Sequence, residues 1–224
     1  VKTVPKMVVF GLVEFVVFGS MLFLPAGTFD YWQAWVFLVV VGLSAWIPVV
    51  YLARTNPVAL QARMRGGPAA ETRMAQKVVI AGLYLSLAAM VVFSVLDHRY
   101  GWSPVPAAAC LVGDVLVAIG LGVVGAVVIQ NSYAAATVRV QAGQNVVSTG
   151  LYGLVRHPMY TGNLIMMLGI PLALGSYWGL VFVVPGLIVL ASRIHDEEEL
   201  LRKELDGYRE YTQKVRYRLM PGIW

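Results

Sequence analysis

Two short segments of this chain carry the residue types that polar chemistry requires. The first runs from Gly143 to Gly162 and contains Tyr152, Arg156, His157, Pro158 and Tyr160. A guanidinium binds a carboxylate or phosphate through paired hydrogen bonds, and an imidazole exchanges protons near neutral pH. Pro158 disfavours helix at the residue before it, so Arg156 and His157 are expected on a loop. The second segment, Arg193 to Leu201, holds the consecutive acids Asp196 to Glu199 at the expected start of a helix. Each segment also has a plain structural role open to it. Arg156 would pair with lipid headgroups, and the acids would stabilise the positive end of a helix dipole. No metal is expected: the chain has 3 His and 1 Cys, and His195 beside the acids fits no standard ligand spacing. Cys110, being alone, forms no internal disulfide.

Between the two segments lies an apolar run, Tyr160 to Ile194, too long for one ordinary span. Gly175-Ser176 interrupts it, so two antiparallel limbs with a tight turn are expected, either two short full spans or a re-entrant hairpin. Limbs of about 15–17 residues reach roughly 25 Å at helical rise, which returns the chain to the face it left. Arg156-His157 and Glu197-Glu198 should then meet at one end. Opposed charges beside apolar walls suit a polar cofactor and a lipid-like substrate.

The elements that position this pair are membrane helices. The chain is 58% hydrophobic and 13% charged, against about 25% charged in soluble domains. Its apolar residues run in blocks of roughly 20, long enough to cross a bilayer. Spans are expected at Pro5–Leu24, Tyr31–Ala53, Val78–Leu96 and Val105–Gln130. The block from Met7 to Pro25 is too long for a typical signal-peptide core and is expected to be retained as a helix. The fold class is therefore all-α, a polytopic membrane bundle of about five to six transmembrane segments. It ends in the helical hairpin and a cytoplasmic amphipathic helix. Residues 1–130 form a four-helix transmembrane region, and 131–224 hold the loop, hairpin and tail. In the tail, Asp196 to Val215 reads as one amphipathic helix with Leu201, Leu205, Tyr208 and Val215 on one face, lying on the bilayer.

The formal charge of +5 does not point to nucleic acid, which needs a basic soluble surface. The distribution of Lys and Arg explains it instead. With the N-terminus inside, Lys2, Lys6, Arg54, Arg63, Arg65, Arg73, Lys77, the 131–159 stretch and the tail are all cytoplasmic. Of the 17 basic residues only Arg99 falls outside. Both termini and the site are expected at the cytoplasmic face of a multi-pass protein.

Some features carry less. Gly120 to Gly125 fits the dinucleotide fingerprint GxGxxG, but it lies within a membrane helix, not between strand and helix. Ala118, Gly122 and Ala126 are expected to let helices pack closely. Glu14 and Asp114 sit inside spans, where such residues usually face the bundle interior. They either line a substrate cavity or hydrogen-bond across helices.

Taken in order, Gly150-Leu151-Tyr152, Arg156-His157-Pro158-Met159-Tyr160-Thr161-Gly162, the hairpin, Glu197-Glu198-Glu199-Leu200-Leu201 and Tyr208-Arg209-Glu210-Tyr211 resemble the isoprenylcysteine carboxyl methyltransferase family and related membrane methyltransferases. The resemblance covers the chain from Gln130 to its end. It implies a site for S-adenosylmethionine, with S-adenosylhomocysteine as product. Gln144, Val146, Val147, Gly150, Tyr152, His157, Pro158, Tyr160, Glu197 and Glu198 would bind the cofactor. Arg156, His157 and Glu198 are the candidate catalytic set. Gln144 stands where the family often has His, which keeps a hydrogen-bonding group and removes a possible base. The acceptor implied is lipidic or lipid-anchored: a prenyl-cysteine carboxylate, a phospholipid headgroup amine, or another small hydrophobic molecule.

Two other classes stay open. The ending Arg216 to Trp224 is similar to that of sterol reductases, which use NADPH, although the acidic run and the short chain argue against them. A membrane scaffold with a lipid-binding loop is the third. Oligomeric state is not readable from the sequence.

Overall fold

The computed structural model describes residues 3–57, 60, 73–131, 133, 140 and 143–224, with the backbone alone for 3–10 and 75. Long apolar runs with few internal breakers form its helices. These are α1 (Thr3–Ala26), α2 (Trp32–Thr55), α3 (Met74–Tyr100), α4 (Ala107–Gln130), α5 (Pro158–Ala173), α6 (Val183–Glu204) and α7 (Tyr208–Lys214). No strand occurs among the described residues. Among the described residues, four helices are long and apolar enough to span a membrane, at Trp32–Thr55, Gln76–Tyr100, Ala107–Gln130 and Trp178–Glu204. Gly11–Ala26 is a shorter apolar stretch. The chain is thus a polytopic helical membrane bundle. Arg63, Arg65 and most of the polar segment between α2 and α3 lie outside the described residues, as does much of 132–142.

The hairpin forms as two limbs. Ser176 N donates to Pro171 O at 2.8 Å, and Gly175 takes φ +72° in the turn, a region glycine enters without a Cβ penalty. Beyond it, a 3-10 turn at Trp178–Phe182 leads into α6. The turn is clamped at this end of the bundle. Asp97, fully buried at the end of α3, accepts from Ser103 Oγ at 2.6 Å and Ser176 Oγ at 2.5 Å. Tyr31 donates its hydroxyl to Leu174 O at 2.5 Å and stacks on His98.

The most extensive helix pair is α4 with α5, antiparallel and close enough to exclude side chains. A Cβ on Gly120 would lie 2.6 Å from Gly162 O, and one on Gly169 would lie 2.7 Å from Gly113 O. Small residues therefore do bring helices together, but not along the expected stripe. Gly122 faces open space and Ala126 is exposed. The close face is Gly113 and Gly120, two helical turns apart. Asp114 is buried as expected, and neither of its carboxylate oxygens has a hydrogen-bond partner among the described residues. Glu14 is exposed, on an apolar groove between α1 and α2 that also holds Phe15, Trp46 and Met166.

Two expectations for the tail change. The acids do not begin a helix: α6 is continuous from Val183 through Glu204, so the dipole explanation is replaced by pairing. The amphipathic stretch is also not one helix. It breaks after Glu204, Gly207 takes φ +79°, and α7 restarts at Tyr208. Leu205, Tyr208, Tyr211 and Val215 bury their face against Val140, Val146 and Leu201 rather than leaving it to lipid.

Candidate active site

Pro158 opens α5 at its first helical position, where the missing N–H costs nothing. Arg156 and His157 therefore sit on the loop before it, as expected. Their backbone N–H groups donate to Tyr217 O and Arg218 O, each at 2.9 Å, so the C-terminal tail holds this loop in place. Thr161 Oγ1 adds a bond to Leu219 O at 2.6 Å.

The far end of α6 meets the loop at Glu198. Oε1 of Glu198 is 3.2 Å from Arg156 Nη1 and 3.3 Å from His157 Nε2. Oε2 is 3.2 Å from Arg202 Nη2 and 3.1 Å from Arg218 Nη2. Three guanidinium groups and one imidazole thus converge on a carboxylate whose side chain is 3% exposed. Burial lowers Arg156 from its ordinary value and Glu198 opposes that shift; an arginine remains charged nonetheless. One residue earlier on α6, Glu197 Oε2 accepts from the Tyr160 hydroxyl at 2.5 Å, and that same oxygen of Tyr160 accepts from Arg193 Nε at 2.8 Å.

In front of this array lies an open cleft with a volume of about 110 Å³. Gln144, Val146, Val147, Tyr152, Arg156, His157, Pro158, Tyr160 and Glu197 all line it. Two expected site residues do not. Glu198 lies behind Arg156 and His157, where it anchors them, and it faces a second hollow with Arg202, Arg209 and Arg218. Gly150 turns at φ +54° against Gln130, which has no room for a Cβ there; Gln130 in turn donates to Thr149 O and accepts from Leu151 N. That turn presents Tyr152, whose hydroxyl accepts from Asn131 Nδ2 at 3.0 Å and whose carbonyl accepts from Tyr211 at 2.8 Å.

The cleft also gathers residues that motif reading does not assign to it: Asn131, Tyr133, Asn145, Met159, Leu201, Leu205, Tyr208 and Tyr211. The Tyr208–Tyr211 pair was legible as a motif, while its place depends on the break at Gly207. Burial raises both phenols above their ordinary range, so each is a neutral hydrogen-bond donor. The Tyr208 hydroxyl and Arg156 Nε are buried with no partner among the described residues. Buried polar groups are nearly always paired, so two such groups at one cleft fit a polar ligand bearing acceptors.

The family comparison falls on the same stretch. A family described as phospholipid methyltransferase matches over residues 108–206. The chain is 32% identical over 91 residues to a Delta(14)-sterol reductase of Mus musculus, covering 39% of this chain and 22% of that protein. It is 35% identical over 82 residues to a probable 7-dehydrocholesterol reductase of Acanthamoeba polyphaga mimivirus, covering 34% and 18%. The chain thus spans about a fifth of the length of these curated relatives. The segment that holds the Arg156-His157 loop, the hairpin and Glu197-Glu198 is matched by the phospholipid methyltransferase family.

Proposed function

We propose that this chain is an integral membrane methyltransferase that uses S-adenosylmethionine to methylate a lipidic or lipid-anchored acceptor at the cytoplasmic face. Residues 131–224 would form its cofactor-binding and catalytic region, and 1–130 its transmembrane region. The observation that carries this reading is one cleft with Arg156, Glu197 and an unpaired Tyr208 hydroxyl on its wall, inside or adjoining the stretch that the methyltransferase family matches. When bound, the cofactor supplies an electrophilic methyl group on a sulfonium. Arg156 suits a carboxylate and Glu197 an ammonium or ribose hydroxyl. The rings of Tyr152 and Tyr160 suit a positive sulfur. Val146, Val147, Leu201 and Leu205 exclude water, so catalysis is mostly positioning and desolvation. A carboxylate acceptor needs no base, as in the isoprenylcysteine carboxyl methyltransferase group. A headgroup amine must lose a proton, and His157 is the group placed to take it. The family description favours the amine.

The test is transfer of labelled methyl from S-adenosylmethionine by the protein in vesicles. One set of vesicles holds phosphatidylethanolamine and the other a prenyl-cysteine. Label in either lipid supports the reading; label in neither contradicts it. One observation favours a second reading, an NADPH-dependent reductase: the two curated relatives above are sterol reductases. Oxidation of NADPH dependent on an unsaturated sterol would establish that reading instead.

A further inference from the structure

Gln76 lies near the start of α3, outside the stretch matched by the methyltransferase family, and is 0% exposed. Both ends of its amide are used. Nε2 donates to Asp196 Oδ2, and Oε1 accepts from Arg193 Nη1 at 3.2 Å. Arg73 makes a two-pronged contact with both Asp196 oxygens, at 2.8 and 2.7 Å, and shares Oδ2 with Gln76. Arg193, 5% exposed, passes the order on to Tyr160 through the Nε contact described above. Its guanidinium also lies 5.9 Å from the Tyr160 ring centroid.

The direction of these bonds matters. Arg193 can only donate, so it occupies a lone pair of the Tyr160 oxygen and leaves the phenolic hydrogen to Glu197. Oε2 of Glu197 is thereby held, and Oε1 is the oxygen left to a ligand in the cleft. A purely structural staple would end within the bundle; this chain of contacts ends on two cleft-lining residues.

We propose that Gln76 is a positioning residue for the cleft, acting through Arg193 on the Tyr160–Glu197 pair. The proposal rests on the methyltransferase reading, so the unmodified protein is measured first. Affinity for S-adenosylhomocysteine is determined by calorimetry on the full chain in detergent, with melting followed in parallel. Gln76→Leu is expected to weaken binding about tenfold, as for loss of a hydrogen bond to a charged group. In a Tyr160→Phe background the same substitution should add less than about twofold, because coupled residues are not additive. Gln76→Glu sets a second carboxylate against Asp196 and should also weaken binding. A staple that only stabilises the fold would move the melting temperature and leave affinity alone. The proposal is overturned if Gln76→Leu binds as the unmodified protein does, or if its effect multiplies independently with Tyr160→Phe. If the unmodified protein binds no S-adenosylhomocysteine, the methyltransferase reading falls, and this proposal with it.

Discussion

Glu198 anchors Arg156 and His157 from behind, while the cleft meets Arg156, His157, Tyr160 and Glu197. Removing its charge leaves the buried Arg156 guanidinium without a carboxylate, held among the described residues only by Arg216 O at 3.3 Å, whereas Arg202 and Arg218 are exposed enough to rehydrate. Glu198→Ala should therefore destabilise the protein by about 3–5 kcal/mol, read by denaturant unfolding in detergent, and abolish cofactor binding as the loop moves. A different outcome is expected at Tyr208, whose hydroxyl has no protein partner among the described residues. Tyr208→Phe should leave stability unchanged or slightly raised and weaken S-adenosylhomocysteine binding by about 1 kcal/mol, the value of one hydrogen bond. Equal affinity in that variant would show that the hydroxyl does not meet the cofactor. About half of the cleft lining was legible at this scale, because Arg156, His157, Tyr160 and Glu197 lie in short local patterns. Tyr208 and Asn131 escaped assignment because their positions depend on a helix break and on a loop folding back.

The packing of α4 on α5 sets the height at which His157 and Tyr160 enter the cleft. Gly162 is central to it: a Cβ there would lie 2.7 Å from Gly120 O and 3.0 Å from Val124 Cγ2. A backbone oxygen cannot rotate away, so Gly162→Val should cost about 1–3 kcal/mol or more by overpacking and reduce cofactor affinity by shifting the start of α5. Gly122→Ala is the control. It meets nothing within 4 Å and should be neutral or gain up to about 1 kcal/mol from helix propensity, measured in the same unfolding series. Elements of this kind were readable in the sequence because span length and the Gly175-Ser176 break fix them. Which glycines face a partner was not, since that depends on helix rotation, and all glycines look alike in a membrane helix. The tail was misread for a related reason. Its apolar spacing continues through Leu205 and Tyr208 as a helix would have it, while Gly207 takes a left-handed turn that spacing does not reveal.

Across the whole molecule, Arg99 lies at the turn end of the bundle, where its Nη1 donates to Pro25 O at 2.9 Å. Arg54, Arg73, Arg156 and Arg193 lie toward the opposite end, where α2 finishes and α3 and α5 begin. Under the orientation proposed above, with the basic end inside, that second end would face the cytoplasm. Single cysteines placed at the exposed Pro104 and at Thr212, in a Cys110→Ser background, should label from opposite sides of intact vesicles, Thr212→Cys from the cytoplasmic side. Labelling of both from one side would reject this orientation. The central claim, that the cleft between the Arg156-His157 loop and the end of α6 holds S-adenosylmethionine, is tested most directly by calorimetry. The purified protein in detergent is titrated in parallel with S-adenosylhomocysteine and with NADPH. Saturable binding of S-adenosylhomocysteine, lost in Glu198→Ala, and no binding of NADPH are expected; saturable binding of NADPH alone would show that the cleft does not hold S-adenosylmethionine.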